Sequence, residues 1–305
     1  KKYVSTPQIF IERAPMRIGI TGSTGFIGSH LIKTLRELLP DTEITTLKRS
    51  HPDRSPKVDE LRHFVHDLDL IYHIGGVNRG TNEEVLRGNI ESTFNLLEAV
   101  NKFGKPVPRI VFTSSSQVYK SVEQPGKLID ESYKTEPTTL FGVAKKTAED
   151  LIRLSGFEYV IMRIANIYGP GCHPEYNSVI ATFCHKSANG KPLMIDGNGH
   201  QSRDFIYIED VIKALVLAGT KNNKPAFEIY NIGTSQTTSL RQVIQNIKAS
   251  GVEVKETYTS KVSVGQNSFS LDSSLFKKHF EWNPKTKLCK GIENTLAWFQ
   301  ESVTS

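Results

Sequence analysis

The chain has 305 residues, 38% hydrophobic and 23% charged, with 38 Lys plus Arg against 32 Asp plus Glu for a formal charge of +6. This composition excludes a wholly disordered chain and fits one large α/β unit or two domains sharing an interface. No apolar run reaches the roughly 18 residues of a membrane span, and the three Cys, at 172, 184 and 289, make neither a disulfide framework nor a CxxC metal pair. The expectation is a metal-free protein of a reducing, cytoplasmic compartment with no membrane partner. The positive charge is interspersed and fits an anionic small molecule. No basic stripe interleaved with aromatics supports nucleic-acid binding.

Residues 1–15 lack a long apolar core and a small-residue cleavage site, so they read as an N-terminal extension or an added remnant rather than a secretory signal. Arg17 to Thr21 form a short apolar run that predicts a strand. Gly22-Ser23-Thr24-Gly25-Phe26-Ile27-Gly28 follows, and SHLIKTLREL then has helical spacing. Gly22 permits a sharp turn, Gly25 lets backbone N–H groups approach a pyrophosphate, and Gly28 lets the helix pack close to the strand. The helix N-terminus adds partial positive charge there. A purely structural turn is the plainer reading of three glycines. The strand before and the amphipathic helix after favour a dinucleotide site.

Spelled TGSTGFIGSHL, this opening resembles the extended short-chain dehydrogenase/reductases, the family of nucleotide-sugar epimerases, dehydratases and reductases. The resemblance continues in the family's order through DLDLIYHIGG, NIESTFNLLEA, RIVFTSSSQVY, FGVAKKTAE, MRIANIYGPG, RDFIYIEDVIKAL, YNIG and GIENTLAWF, from about Met16 to Phe299. It implies a Rossmann-like doubly wound parallel sheet with a smaller C-terminal substrate-binding lobe. Residues 16–165 would form the cofactor domain and 166–305 mainly the substrate lobe, with about 204–235 returning to the first. Thr24, Phe26 and Ile27 in the turn, Gly75 after the next buried strand and Ile164 further on are the implied cofactor contacts. A homodimer through the helices bearing residues 89–101 and 141–154 is implied too.

After a predicted second strand, Glu43 to Leu47, NAD-preferring members carry an acidic residue for the adenosine ribose. Here stand Lys48 and Arg49, whose charges favour the 2′-phosphate of NADP, with NAD the alternative and a solvated basic loop the plainer reading. One short helix, Val58 to Phe64, fills the stretch to the next buried strand, so the family's additional edge strand is expected to be missing. This abbreviated stretch and HIGGVNR locally resemble the NADPH-dependent 4-ketoreductase domain of a capsular fucosamine pathway.

The family's catalytic Tyr-x-x-x-Lys pair shares one helix face. Its Tyr moves the proton at the sugar oxygen, while the Lys lowers the Tyr pKa and bonds the nicotinamide ribose. By alignment Ser115 holds the Ser/Thr position, Lys145 the Lys position, and Phe141 the Tyr position. Phe has no proton to transfer. Either the chain is a Tyr→Phe variant that traps substrate, or it is a natural member that has lost or relocated the acid, with Tyr119, Tyr133 and His173 as candidates. Ser116 and Gln117 stand where dehydratases carry Asp-Glu, which disfavours dehydration. Gln117 also stands at the Cys position of ring-proton epimerases, and Cys172 and His173 do not restore that pattern. What remains is hydride chemistry at one sugar carbon, C4 above all, as a 4-epimerase or 4-ketoreductase. A non-catalytic NADP-binding sensor is the alternative that Phe141 favours.

On the substrate side the resemblance assigns Asn166 and Arg203 to the diphosphate of a nucleotide-diphosphate sugar, with Ser115, Ser116 and Gln117 near the sugar. A structural ion pair to Asp204 or Asp210 is the other reading of Arg203. Lys261 is an approximate stand-in for a distal phosphate contact. Asp272–Trp282 and Gly291–Trp298 read as closing helices, with Trp282, Trp298 and Phe299 assigned to the core.

Overall fold

The computed structural model describes residues 15–47, 54–122, 124–174, 176, 178–221, 225–260 and 268–304. Six strands form one sheet, ordered in space Glu228–Ile232, Tyr159–Ile164, Arg109–Ser115, Leu70–His73, Arg17–Thr21, Glu43–Thr46. Every pairing in it is parallel. Helices cover both faces, so the central strands are buried on both sides and read as continuous apolar runs. Tyr159–Ile164 and Leu70–His73 are buried throughout, whereas the edge strand Glu43–Thr46 is half exposed.

The order reverses at Arg17–Thr21, which has the second strand on one side and the third on the other. That reversal opens a crevice at the carboxyl ends of Arg17–Thr21 and Leu70–His73, where open α/β sheets bind ligands. Among the described residues no strand lies beyond Glu43–Thr46, in keeping with the abbreviated connection. A 3-10 turn, Val58–Leu61, runs directly into a short helix, Arg62–Val65. Leu61, Phe64, Val65 and Leu68 pack on Leu96, Ala99 and Val100 in a small core of their own. This apolar plug covers the sheet where a longer connection would have run.

The helix Phe26–Leu38 buries Gly28, Leu31 and Leu35, one helical face. The helix Leu140–Leu154 is capped by Thr139, whose hydroxyl accepts from the Gly142 N–H at 3.0 Å. Its buried stripe is Ala144, Lys145, Ala148, Glu149 and Ile152. Two charged residues on a buried face already mark this helix, since unpaired charges are rarely buried. The helix from Asn82 to Phe103 contains a π-helical turn, Arg87–Glu91, that carries the buried Asn89.

The C-terminal third adds the helices Val179–Ala188, Leu240–Ala249 and Leu288–Thr304 and the paired strands Leu193–Asp196 and Glu256–Thr259. Phe205–Tyr207 pairs with Asn166–Tyr168, and Glu228–Ile232 joins the large sheet. One hydrophobic core runs from Ile18 through Leu193 to Phe299. The closing helices are Ser274–Phe280 and Leu288–Thr304. Trp282 and Phe299 are buried, but Trp298 is 37% exposed and leaves the predicted core. Adjacent helical residues point about 100° apart, and here Phe299 takes the inward direction with Ile292 and Leu296 while Trp298 lies at the edge of that face.

Candidate active site

The glycine turn sits at the mouth of the crevice. Gly22 has φ +69°, and a Cβ there would lie 2.7 Å from the Gly75 backbone. Only glycine meets both demands. Gly25 donates to the Gly22 carbonyl at 3.1 Å and begins the first helix. A Cβ at Gly28 would overlap the Gly22 carbonyl oxygen, so the helix approaches the turn as closely as backbone allows.

A single cleft runs from this turn to the catalytic helix. Gly22, Gly25, Phe26, Ile27, Gly75, Ser115, Ser116, Gln117, Phe141, Lys145, Ile164 and Asn166 all border it. Thr24 lies on the exposed tip of the turn and Gly28 behind it, neither on the cleft wall. Lys48, Arg49 and Lys261 lie outside the described residues. A second recess shares Ser116, Gln117 and Asn166 with the cleft and adds Arg203, Asp204 and Phe269. The two recesses join at Ser116, Gln117, Ala165 and Asn166, the elbow of one bent trough.

The crevice floor is held by hydrogen bonds whose directions can be assigned. Gly75 N–H donates to Thr21 Oγ1 at 3.0 Å, and Thr93 Oγ1 donates to the Asn89 carbonyl at 2.6 Å. The Thr93 proton is thereby used, so at 2.8 Å its oxygen accepts from His73 Nε2. His73 Nδ1 then accepts from Thr21 Oγ1 at 2.9 Å. This is the neutral Nε2–H form. Burial, with a smaller contribution from Lys145, pushes His73 down to about 3. Asn89 Nδ2 donates to the Val77 and Val85 carbonyls at 2.7 and 2.8 Å, bridging the cleft loop and the π turn.

Lys145 is 6% exposed, and its Nζ donates to the Thr113 carbonyl at 3.0 Å. It stands 4.7 Å from the Phe112 ring centroid and 5.8 Å from that of Phe141. Burial pulls its pKa down to about 8, against the opposing pull of Glu149. Glu149 is itself engaged by Arg163, Nη2 to Oε2 at 2.7 Å, and by the Ser114 hydroxyl at 2.5 Å. Ser115 caps the short turn Ser116–Val118, its oxygen accepting from Gln117 N–H at 3.2 Å. Gln117 Oε1 accepts from Thr139 at 3.0 Å, which joins the serine loop to the cap of the catalytic helix.

Asn166 gives both its backbone and its side-chain N–H to the Asp204 carbonyl, each at 3.0 Å. The Asp204 carboxylate accepts from Thr234 N–H at 3.0 Å, Thr234 Oγ1 at 2.5 Å and Leu271 N–H at 3.1 Å. Burial pushes it up to about 6. Asp210 accepts from the backbone of Lys285 and Thr286 at 3.1 and 2.9 Å. Both carboxylates thus accept from backbone N–H groups, and Asp204 also from the Thr234 hydroxyl. Burial lowers the Arg203 pKa, as desolvation must for a cation.

Tyr119 is buried beneath the site, donating to Asn231 Oδ1 at 2.7 Å, with its pKa pushed up to about 12 by burial. Tyr133 lies over Lys127, and His173 is exposed and bonded to Pro174, so none of the three relocation candidates borders the cleft. Arg163 turns into the Glu149 pair, while Ile164 and Ala165 border the cleft. Alternation turns Ile164 to the face opposite Arg163, and Ala165 lies beyond the strand's end. Sequence reasoning missed Gly76, Asn78, Thr113, Cys172 and Tyr176 on the cleft wall. Of these only Gly76, beside Gly75 after a buried strand, carried a local signal.

The family model for the NAD dependent epimerase/dehydratase family matches residues 18–233. The chain belongs to that family. It is 29% identical over 309 residues to a putative UDP-glucose 4-epimerase of Methanocaldococcus jannaschii, covering 93% of this chain and 98% of the relative. It is 29% identical over 226 residues to the UDP-2-acetamido-2,6-beta-L-arabino-hexul-4-ose reductase of Pseudomonas aeruginosa, covering 70% of this chain and 53% of that protein. The crystal structure of the UDP-glucose 4-epimerase of Thermotoga maritima with UDP-glucose superposes with a TM-score of 0.82 at 25% identity, covering 94% of this chain and all of that one. The protein is thus an extended short-chain dehydrogenase/reductase, a nicotinamide-dependent enzyme whose relatives act on nucleotide sugars.

Proposed function

We propose that this enzyme is an NADP-linked nucleotide-sugar 4-ketoreductase or 4-epimerase acting on a UDP-sugar. The observation that carries this reading is the elbow of the trough. Lys145 and Ser115 both line the cleft that leads to it, and Asp204, the only carboxylate on either wall among the described residues, accepts from Thr234 and Leu271. Dehydration needs a carboxyl group beside the serine, and here Ser116 and Gln117 stand instead.

The glycine turn and the N-terminus of Phe26–Leu38 fit a dinucleotide pyrophosphate, because Gly25 is exposed and no side chain blocks the helix entrance. When bound, the nicotinamide supplies or accepts the hydride. Residues 16–165 with 204–235 would hold the cofactor and the remainder the sugar nucleotide. Arg203 clamps the diphosphate, and Asn166, fixed by Asp204, orients it. Ser115 directs the sugar oxygen toward Lys145. Lys48 and Arg49 carry the preference for NADP by attraction to the 2′-phosphate.

A homodimer would bury the apolar side chains exposed on the helices from Asn82 to Phe103 and Leu140 to Leu154, which include Phe94, Val143 and Leu154. Cys172, Cys184 and Cys289 are free thiols, consistent with a reducing cytoplasm. No helix among the described residues is long and apolar enough to cross a membrane.

Calorimetry with NADP, NAD and a panel of UDP-sugars, followed by product analysis, tests the reading. NADP is expected to bind at least tenfold tighter than NAD, and Lys48→Ala to erase that difference. Failure to bind any UDP-sugar would overturn the proposal.

A further inference from the structure

Resting on that reading, we propose that Lys145 itself carries the proton to and from the sugar oxygen in this chain, the step a tyrosine at 141 would otherwise perform. Among the described residues that border the cleft, no other group offers a proton as readily. Phe141 has no exchangeable proton, and the three relocation candidates do not reach the cleft. Ser114 gives its proton to Glu149, Tyr176 donates to the Arg79 carbonyl at 3.3 Å, and burial pushes Cys172 up to about 12. The Ser115 hydroxyl orients an oxygen but is far too weak an acid to supply a proton at neutral pH.

Lys145 has the geometry and the protons. One of its three N–H groups is held by the Thr113 carbonyl, which fixes Nζ while leaving two for the cleft. Lys145 borders the cleft, and a Cβ at Gly76 would lie 3.1 Å from Nζ, so the glycine there leaves the ammonium uncrowded on that side. The charged groups around it do not compete for that proton. Glu149 on the same helix is committed to Arg163 and Ser114. Arg163 on Tyr159–Ile164 is bound in that pair. His73 on Leu70–His73 is neutral, with both ring nitrogens engaged by threonine. With no bound carboxylate and a low-dielectric wall, the ammonium is held near neutrality, at about 8, where a general acid works best.

In the reducing direction the sugar carbonyl carbon receives a hydride from a reduced nicotinamide dinucleotide. An N–H bond of the Lys145 ammonium breaks as the O–H bond of the new hydroxyl forms. The neutral amine left behind takes a proton from solvent. In the oxidising direction the neutral amine accepts the hydroxyl proton.

The test begins on the protein without ligands. Nitrogen and Cε resonances of Lys145, identified by their loss in Lys145→Arg, are followed against pH by NMR, with an expected midpoint near 8. Turnover of a 4-keto sugar nucleotide at saturating cofactor is then measured from pH 6 to 10. It should fall about tenfold per pH unit above that same midpoint, and Lys145→Met should lower it at least hundredfold. In Phe141→Tyr the alkaline limb should leave the Lys145 midpoint. A pH limb that does not follow Lys145 overturns the proposal, as does a Lys145→Met protein within threefold of the parent. A parent that binds cofactor and sugar nucleotide but turns over only after Phe141→Tyr also overturns it, while the functional reading stands. A parent that binds no sugar nucleotide overturns both. Should Lys145→Met fail to fold, agreement between the NMR midpoint and the pH limb of the unaltered chain decides.

Discussion

The buried pair of Glu149 and Arg163 is the interaction under the site whose loss should be felt most. Glu149 is fully buried and Arg163 only 4% exposed. Arg163 Nε donates to Oε1 at 3.0 Å and Nη2 to Oε2 at 2.7 Å, while Ser114 fills the remaining lone pair of Oε1 at 2.5 Å. Burial works against the charged guanidinium, but the hydrogen bonds and charge of Glu149 outweigh it and hold Arg163 above its ordinary range. Glu149→Gln keeps the shape and removes the charge. The guanidinium then keeps one amide oxygen at 149, the Tyr119 hydroxyl at 3.1 Å and the Glu131 carbonyl at 3.3 Å, but faces an NH2 donor and no negative charge. Stranding one partner of a buried pair costs about 3–5 kcal/mol, a third or more of the ~5–15 kcal/mol that holds a typical fold together. Removing both charges with Glu149→Met and Arg163→Met should cost far less, within about 2 kcal/mol of the parent, because two desolvation penalties disappear with the attraction. Equilibrium urea unfolding of the parent, the single and the double variant measures this. A single variant costing under about 1 kcal/mol, or a double variant as damaged as the single, would refute the account.

Gly28→Ala should weaken cofactor binding at least tenfold and lower the melting temperature, because its Cβ meets the Gly22 carbonyl, which is backbone and cannot rotate away. Unchanged binding by calorimetry would contradict that. Lys145 should make stability depend on pH in a defined window. Its folded pKa of about 8 lies below the ordinary 10.5, so the unfolded chain binds more protons between these values, and stability rises with pH through that interval. The cost is fully present below pH 8, at most about 3 kcal/mol. Lys145→Met should therefore gain stability at pH 7 in urea melts and lose that advantage above pH 10.5. Arg203→Lys should weaken UDP-sugar binding about tenfold, since a point charge replaces a planar fork, with cofactor affinity unchanged. Equal loss of both ligands in calorimetry would show that Arg203 acts on the fold.

The chain's own order of residues determined the parts that follow local rules. The strand, glycine turn and helix from Arg17 to Leu38 could be read because turn chemistry and helical period are properties of neighbouring residues. That no strand lies beyond Glu43–Thr46 among the described residues agrees with a stretch too short to hold one. Phe141 and the pair Ser116 and Gln117 were legible as residue types in known slots, and they already disfavoured dehydration. The π turn at Asn89 and the exposure of Trp298 escaped, because packing rather than propensity sets them. Only the tertiary structure decided which groups share a surface. Thr21, His73 and Thr93 form one hydrogen-bonded row although up to 72 positions separate them, because parallel strands bring Thr21 and His73 side by side and the helix Ser92–Phe103 packs over them. The same closure sets the carboxylates of Asp204 and Asp210 against backbone N–H groups and turns Arg163 into the Glu149 pair. Lys145 is the sharpest case. Its position follows from a four-residue spacing, but a proton available near neutral pH comes only from burial against Phe112 and Thr113, since desolvation belongs to the folded molecule and not to the residue.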